Sequence, residues 1–439
     1  MNNRTIFVST LLLLATTITY GQELLSKQEA ISLALESNFD IVRSNQSILI
    51  EENNTSIYNS GYLPTVNGTA NINFNVENVT AEFQDGTERS LNRAKSNSRS
   101  AGLNVNWVLF DGFNRSYTMS LNQANYSVSQ LNARATLEVV ILDLFNSYYE
   151  VARTHKTIKS LKSNLNISKD RLLRVSYGFD YGQSTKLDIT NALVDVNTDS
   201  INLLNAKQSL GNAHRNLNFL LARDANVSFE VDTTISFTKL AAKEAFEAKL
   251  VSNNTQILLA KSGIMVSDYN TRINTSRYLP TLAVDGNYNY RLGNNNSASF
   301  LAGSANSGLS YGASLSWSLF DGGATKTAVQ NAKINQFIEK TSLQQAKQQA
   351  VLSFENAWSD YQNRLFVVSA QERNLSANEN NFERTTEKFR LGQVTSLDFR
   401  VAQQNLLQAE INLIEARYNA KIAELAIYQL VGDIQVANF

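Results

Sequence analysis

The chain has 439 residues, 39 Lys+Arg against 39 Asp+Glu, two Pro, two His and no Cys. Balanced charge excludes a nucleic-acid partner, which needs a basic surface to neutralise phosphates. The lack of Cys excludes disulfide frameworks, thiolate metal sites and thiol catalysis.

The first 21 residues read as a secretory signal. Arg4 gives a short positive start, Ile6 to Ile18 an apolar stretch, and Thr19-Tyr20-Gly21 the small residues of a cleavage site. The apolar run is too short to span a bilayer comfortably, and no other run is long enough.

The remainder is an internal duplication, the sign of a pseudo-symmetric architecture. Tyr62-Leu63-Pro64-Thr65 recurs as Tyr278-Leu279-Pro280-Thr281. Trp107 and Leu109-Phe110-Asp111-Gly112 recur as Trp317 and Leu319-Phe320-Asp321-Gly322. Gly182-Gln183 and Leu187-Asp188 recur as Gly392-Gln393 and Leu397-Asp398. The prolines are 216 residues apart and the later landmarks 210, so the first copy holds six extra residues between Pro64 and Trp107. A loop is the cheapest place for them. The repeats are taken as 22–222 and 244–439, joined by 223–243.

Each repeat opens with a predicted helix, at 27–60 and 242–277. Proline then stops the helix and starts an extended segment. After Pro64, Val66, Gly68, Ala70, Ile72, Phe74 and Val76 alternate with Asn67, Thr69, Asn71, Asn73 and Asn75. Period two means a strand with an apolar and a polar face. Leu103 to Leu109, Leu282 to Tyr290 and Leu309 to Leu319 repeat the pattern. The hairpins span 64–111 and 280–321, with polar loops expected at 77–100 and 293–308. Strands of about 10 residues suit a tilted membrane crossing. Their polar faces carry mostly Asn and Ser, and their apolar faces carry Trp and Tyr, as expected where one face meets lipid and the other water.

After each Asp-Gly the period changes to that of a helix. The segments 114–178 and 324–389 are predicted as single helices, each about 98 Å long at 1.5 Å per residue. Shorter helices follow at 185–222 and 394–431. Four strands cannot close a barrel, and open edges are not tolerated in lipid. Several chains must therefore share one barrel.

The order helix, Tyr-Leu-Pro strand, strand ending Phe-Asp-Gly, long helix, Gly turn, helix, repeated twice, resembles the TolC-type outer-membrane efflux proteins across the whole mature chain. The resemblance implies an α+β membrane fold: a homotrimer with a 12-stranded outer-membrane β-barrel, four strands per chain, continuing into a long periplasmic α-helical barrel. It implies an equatorial girdle including 223–243, and export of substrates to the exterior with an inner-membrane pump and a periplasmic adaptor. The alternative is a periplasmic coiled-coil structural or adaptor protein, which leaves the four amphipathic strands unexplained.

No catalytic constellation, metal spacing or phosphate-binding loop is present, so neither cofactor nor enzyme activity is expected. His155 and His214 lie on predicted helices without counterparts in the other repeat and read as surface or packing residues. The informative segments are the two helix–helix turns. Gly182 and Gly392 suit a helix C-terminus. Thr185 with Asp188, and Thr395 with Asp398, have capping-box spacing. By resemblance these turns are the periplasmic tips. Gly182, Gln183, Thr185, Gly392, Gln393 and Thr395 fall on the adaptor-docking turns, and Asp188 and Asp398 at the pore constriction. A second acid found three residues later in some relatives is Asn191 or Val401 here, and an arginine after the tip glycine is replaced by Gln393-Val394.

Overall fold

The computed structural model describes residues 23–238 and 240–434. The predicted signal segment lies outside the described residues. The chain forms two compact units. Among the described residues, one takes 23–45, Asn132–Leu258 and 346–434; the other takes Gln46–Leu131 and Leu259–Gln345. Each unit draws on both repeats.

The elements run β1 (Glu23–Leu25), α1 (Lys27–Ser37), α2 (Phe39–Asn54), β2 (Thr65–Glu82), β3 (Glu88–Phe110), α3 (Asn114–Asp180) and α4 (Lys186–Leu220). The second repeat gives β4 (Phe229–Val231), α5 (Lys243–Asn253), α6 (Thr255–Ser276), β5 (Thr281–Asn294), β6 (Gly303–Ser316), α7 (Ala324–Arg390) and α8 (Ser396–Leu430). The long helices α3 and α7 both have 67 residues, and α4 and α8 both have 35. Duplication has preserved these lengths to the residue.

Strands β2, β3, β5 and β6 form one antiparallel sheet in that order, so the β3–β5 pair joins the repeats. Register keeps the two faces distinct across all four strands. Leu103 lies opposite Gly68 on one side and Tyr288 on the other, and Tyr288 lies opposite Leu309. On the other face Asn67, Asn104 and Asn287 stand in one row, continued by Ser310. Among the described residues the apolar face is left largely uncovered: Phe74 is 71% exposed and Tyr311 84%. A sheet built around a soluble core would bury these rings.

Matching contacts finish each hairpin. Trp107 Nε1 donates to the Tyr62 carbonyl at 2.9 Å, and Trp317 Nε1 to that of Tyr278 at 3.0 Å. Asp111 accepts from Arg115 N at 3.0 Å, capping α3, and Asp321 accepts from Thr325 N at 2.8 Å, capping α7. The Phe-Asp-Gly motif is thus the strand-to-helix junction.

Three sequence expectations are corrected. The helices expected at 27–60 and 242–277 are each two helices, broken at Asn38 and Asn254, where the backbone turns extended. The hairpin loops are much shorter than 77–100 and 293–308, because pairing continues to Glu82↔Glu88 and Asn294↔Gly303. The six extra residues accordingly lengthen strands rather than a loop: β2 and β3 have 18 and 23 residues, β5 and β6 have 14 each. A hairpin continues wherever its backbone groups can pair, with or without an apolar face.

The inter-repeat segment contains β4, paired in parallel with β1. Around this small sheet Phe145, Tyr148, Tyr149, Leu217, Phe229 and Tyr418 form a buried core. Tyr148 donates to the Leu25 carbonyl at 2.8 Å and accepts from Asp232 N at 2.9 Å, tying both short strands to α3. Burial pushes its phenol up to about 12. His214 packs on Phe229 with ring centroids 4.7 Å apart, and burial lowers its pKa.

Candidate functional site

Both helix–helix turns are closed by the same set of bonds. At the first, Gln183 N donates to the Gly178 carbonyl at 2.6 Å and Gly182 N to that of Phe179 at 3.0 Å. At the second, Gln393 N donates to the Lys388 carbonyl at 2.8 Å and Gly392 N to that of Phe389 at 3.2 Å. This crossed pair is the Schellman ending, which places its C′ residue in the left-handed region. Gly182 has φ 72° and Gly392 φ 70°. A Cβ on either would meet nothing within 4 Å, so glycine is required by conformation and not by space.

The following helices start with complete capping boxes. Thr185 Oγ1 accepts from Asp188 N at 3.2 Å, while the Asp188 carboxylate accepts from Thr185 N at 2.8 Å and from the Thr185 hydroxyl at 2.7 Å. Thr395 and Asp398 repeat this at 3.1, 3.0 and 2.6 Å. The threonine hydroxyl, then its backbone N–H, holds both carboxyls below the usual carboxylate value. Both acids remain solvent-exposed, so they cap their helices while presenting negative charge to water.

Each turn is flanked by large exposed apolar residues, of which the sequence analysis noted Leu187 and Leu397 only as landmarks of the duplication. Tyr181 and Leu187 are 82% and 67% exposed, and Leu391 and Leu397 are 70% and 72%. They occupy matching places in the repeats, the signal that could have found them.

A buried polar network also escaped the sequence. Arg400 on α8 makes a bidentate pair with Asp199 on α4, at 2.7 and 3.0 Å. Ser168 on α3 donates to the same carboxylate at 2.5 Å, and Gln403 donates to Ser168 at 2.8 Å and to the Asn164 carbonyl at 2.9 Å. Asp195 receives Arg171 and lies 3.4 Å from Arg400 Nε. Asp199, Ser168, Gln403 and Arg171 are buried. The counterparts of Arg400 and Asp199 in the other repeats are Thr190 and Ala409, so this lock breaks the pseudo-symmetry. Beside it, a groove of about 490 Å3 is lined by Leu173, Arg174, Tyr177, Phe382, Phe389 and Phe399. Arg174 lies 5.6 Å over the Phe389 ring.

Among the described residues, no group of His, Asp and Glu is arranged to hold a metal ion, and no helix is long and apolar enough to cross a membrane. The amphipathic sheet is the membrane element. The uncovered amphipathic sheet and the two exposed, capped helix–helix turns are the candidate functional features.

The sequence profile of the outer membrane efflux protein family matches residues 30–223 and 248–433, and the chain belongs to that family. It is 24% identical over 380 residues to the outer membrane protein TolC of Vibrio cholerae, covering 85% of this chain and 83% of that one. It is 22% identical to the outer membrane efflux protein BepC of Brucella suis, covering 97% and 90% respectively. The fold matches the CmeC outer membrane channel of Campylobacter jejuni with a TM-score of 0.76 at 16% identity, over 93% of this chain and 86% of that one. The protein is therefore an outer-membrane efflux channel of TolC-like α+β fold. Its family consists of channels rather than enzymes.

Proposed function

We propose that three copies of this chain close a twelve-stranded barrel, and that the trimer exports substrates delivered by an inner-membrane pump through a periplasmic adaptor. One observation carries the reading: the outer edges of β2 and β6 are unpaired in the four-stranded sheet, and most large side chains of its apolar face are exposed. Such edges are tolerated in lipid only when neighbouring copies pair with them. Four strands from each of three chains leave room for a lumen, whereas two chains give an eight-stranded barrel filled by side chains. The repeats 22–222 and 244–439 then supply equivalent parts of the wall, with 223–243 in the equatorial girdle.

The tips are the docking end. Gly182, Gln183 and Thr185, with Gly392, Gln393 and Thr395, offer open turns to which an adaptor can apply its own backbone closely. The exposed Tyr181, Leu187, Leu391 and Leu397 supply the apolar contact area that such an interface uses. Asp188 and Asp398 line the constriction, where three copies of each make rings of carboxylates that attract cations. Single-channel recording in planar bilayers tests this assignment. Asp398→Ala is expected to raise conductance and change cation selectivity; identical conductance and selectivity in the variant contradict the constriction role.

A further inference from the structure

On strand β3 the lipid-facing row carries cations at its outer margin. Along β3 that face reads Leu109, Trp107, Val105, Leu103, Ala101, then Arg99, Asn97 and Lys95. From Leu109 to Arg99 the strand advances about 34 Å at 3.4 Å per residue. Tilted by about 40°, this gives a height of about 26 Å, the thickness of the apolar band of an outer-membrane barrel. Arg99 therefore stands at the outer edge of the hydrocarbon. Lys95 lies about 14 Å further along the strand, in the head-group layer.

Nothing in the sheet neutralises these charges. Arg99 is in register with Ile72 on one side and Leu292 on the other, and Lys95 with Val76. All of these partners are apolar. Glu77 pairs with Ala94 on the opposite face, and Glu82 and Glu88 face each other near the turn. A bulge between Glu77 and Val79 follows, and there Arg93, at φ 53°, is held by its N–H on Asn78 Oδ1 at 2.8 Å. The bulge adds a third exposed cation on the same strand. Arg93, Lys95 and Arg99 are all exposed, and none takes part in an ion pair among the described residues. By contrast Arg291, in register with Ser100, belongs to the lumen face.

The geometry points to a binding site for a phosphorylated glycolipid head group of the outer leaflet, held by Arg99 and Lys95 with Arg93 alongside. The apolar rows below would take the acyl chains and the cations the phosphates. Guanidinium and ammonium donors suit phosphate oxygens, and juxtamembrane cations attract anionic lipid. The site rests on the outer-membrane barrel reading, since it needs the apolar face to meet lipid.

Native mass spectrometry of the full-length protein in mild detergent tests it, with diphosphoryl lipid A, lipid A stripped of phosphate and inorganic phosphate as probes. The protein is expected to retain diphosphoryl lipid A and to release the stripped form. The Lys95→Ser/Arg99→Ser double variant should bind diphosphoryl lipid A about thirtyfold more weakly, the loss expected for two interfacial charges. The Lys95→Arg/Arg99→Lys variant and the lumen-face Arg291→Ser variant should bind it as the parent does. Equal retention by the double variant, or equal binding of stripped lipid A, overturns the proposal. Displacement of lipid A by inorganic phosphate at matched concentration overturns the lipid assignment, leaving a plain anion site. The same spectra give oligomer mass. A trimeric parent that holds no lipid A counts against this site alone, whereas a monomeric parent removes the barrel on which the site depends.

Discussion

The Asn38 side-chain amide donates to the Leu220 carbonyl at 2.9 Å, and 216 residues later Asn254 makes the same bond to the carbonyl of Leu430 at 2.8 Å. Each asparagine also accepts from the start of the next helix: Asn38 Oδ1 from Asp40 N at 2.9 Å, Asn254 Oδ1 from Ile257 N at 3.1 Å. One side chain thus caps a helix N-terminus and satisfies the last turn of a distant helix. Replacing either by Ala should cost about 1–2 kcal/mol, the sum of a lost cap and an unpaired buried carbonyl. The two effects should be nearly equal because the sites are equivalent. Thermal melts followed by helical circular dichroism check this; a melting temperature unchanged in both variants contradicts it.

The tip glycines give a cleaner case of backbone control. Gly182→Ala and Gly392→Ala place a Cβ in open space but force an L-residue to φ near 70°. Strain of about 1 kcal/mol per site is expected. Amide exchange at the turns should quicken while the rest of the helices keeps its protection. Slower exchange at the turns would show that glycine is not needed for conformation there.

Arg400 joins α8 to α4 through the Asp195 and Asp199 carboxylates and to α3 through the Ser168 hydroxyl, so removing it strands Asp199 without its cation. Arg400→Ala should destabilise the helical unit by about 3 kcal/mol. Arg400→Lys, which keeps charge but loses the bidentate fork, should recover only part. Any opening that moves α8 away from α3 and α4 must break this network, so Arg400→Ala should also open more often in planar bilayers. Parental stability in Arg400→Ala contradicts the network's structural role.

The capping boxes carry a pH dependence of known sign. Asp188 and Asp398 have depressed pKa values, through the Thr185 and Thr395 hydroxyls first and their backbone N–H groups second. Their stabilisation is complete above the unfolded aspartate value of about 3.9. It is lost as pH falls through the lower folded value. Protection factors of the tip amides, corrected for intrinsic exchange, should be flat from neutral pH down to about pH 4 and fall below it. In the Asp188→Asn/Asp398→Asn variant they should be lower and flat throughout. A step centred near pH 6 would assign the titration to another group.

What the sequence revealed and what it hid follow from where physical constraint is local. The duplication, the strand faces and the tip turns were legible, because lipid imposes alternation on residues such as Val66 to Val76 and a Schellman turn demands glycine. The hairpin ends were not, because beyond the apolar band residues such as Lys95 and Arg93 follow no two-residue pattern while the backbone goes on pairing. The helix breaks were hidden because Asn38 and Asn254 sit within helical spacing and bond to carbonyls far away in the chain. The Arg400–Asp199 pair was hidden for the same reason, its members being 201 residues apart. The docking and constriction roles of the tip residues rest on resemblance, since their local bonds are explained by capping alone.

In the proposed trimer this sheet is one third of a closed membrane barrel. The most direct test of this is the mass of the mature protein extracted from cell envelopes in mild detergent. Three chains, held together against dissociation and recovered only with detergent, are the predicted result. A monomer recovered without detergent would contradict the account, because the apolar face of β2, β3, β5 and β6 would then have no lipid to meet.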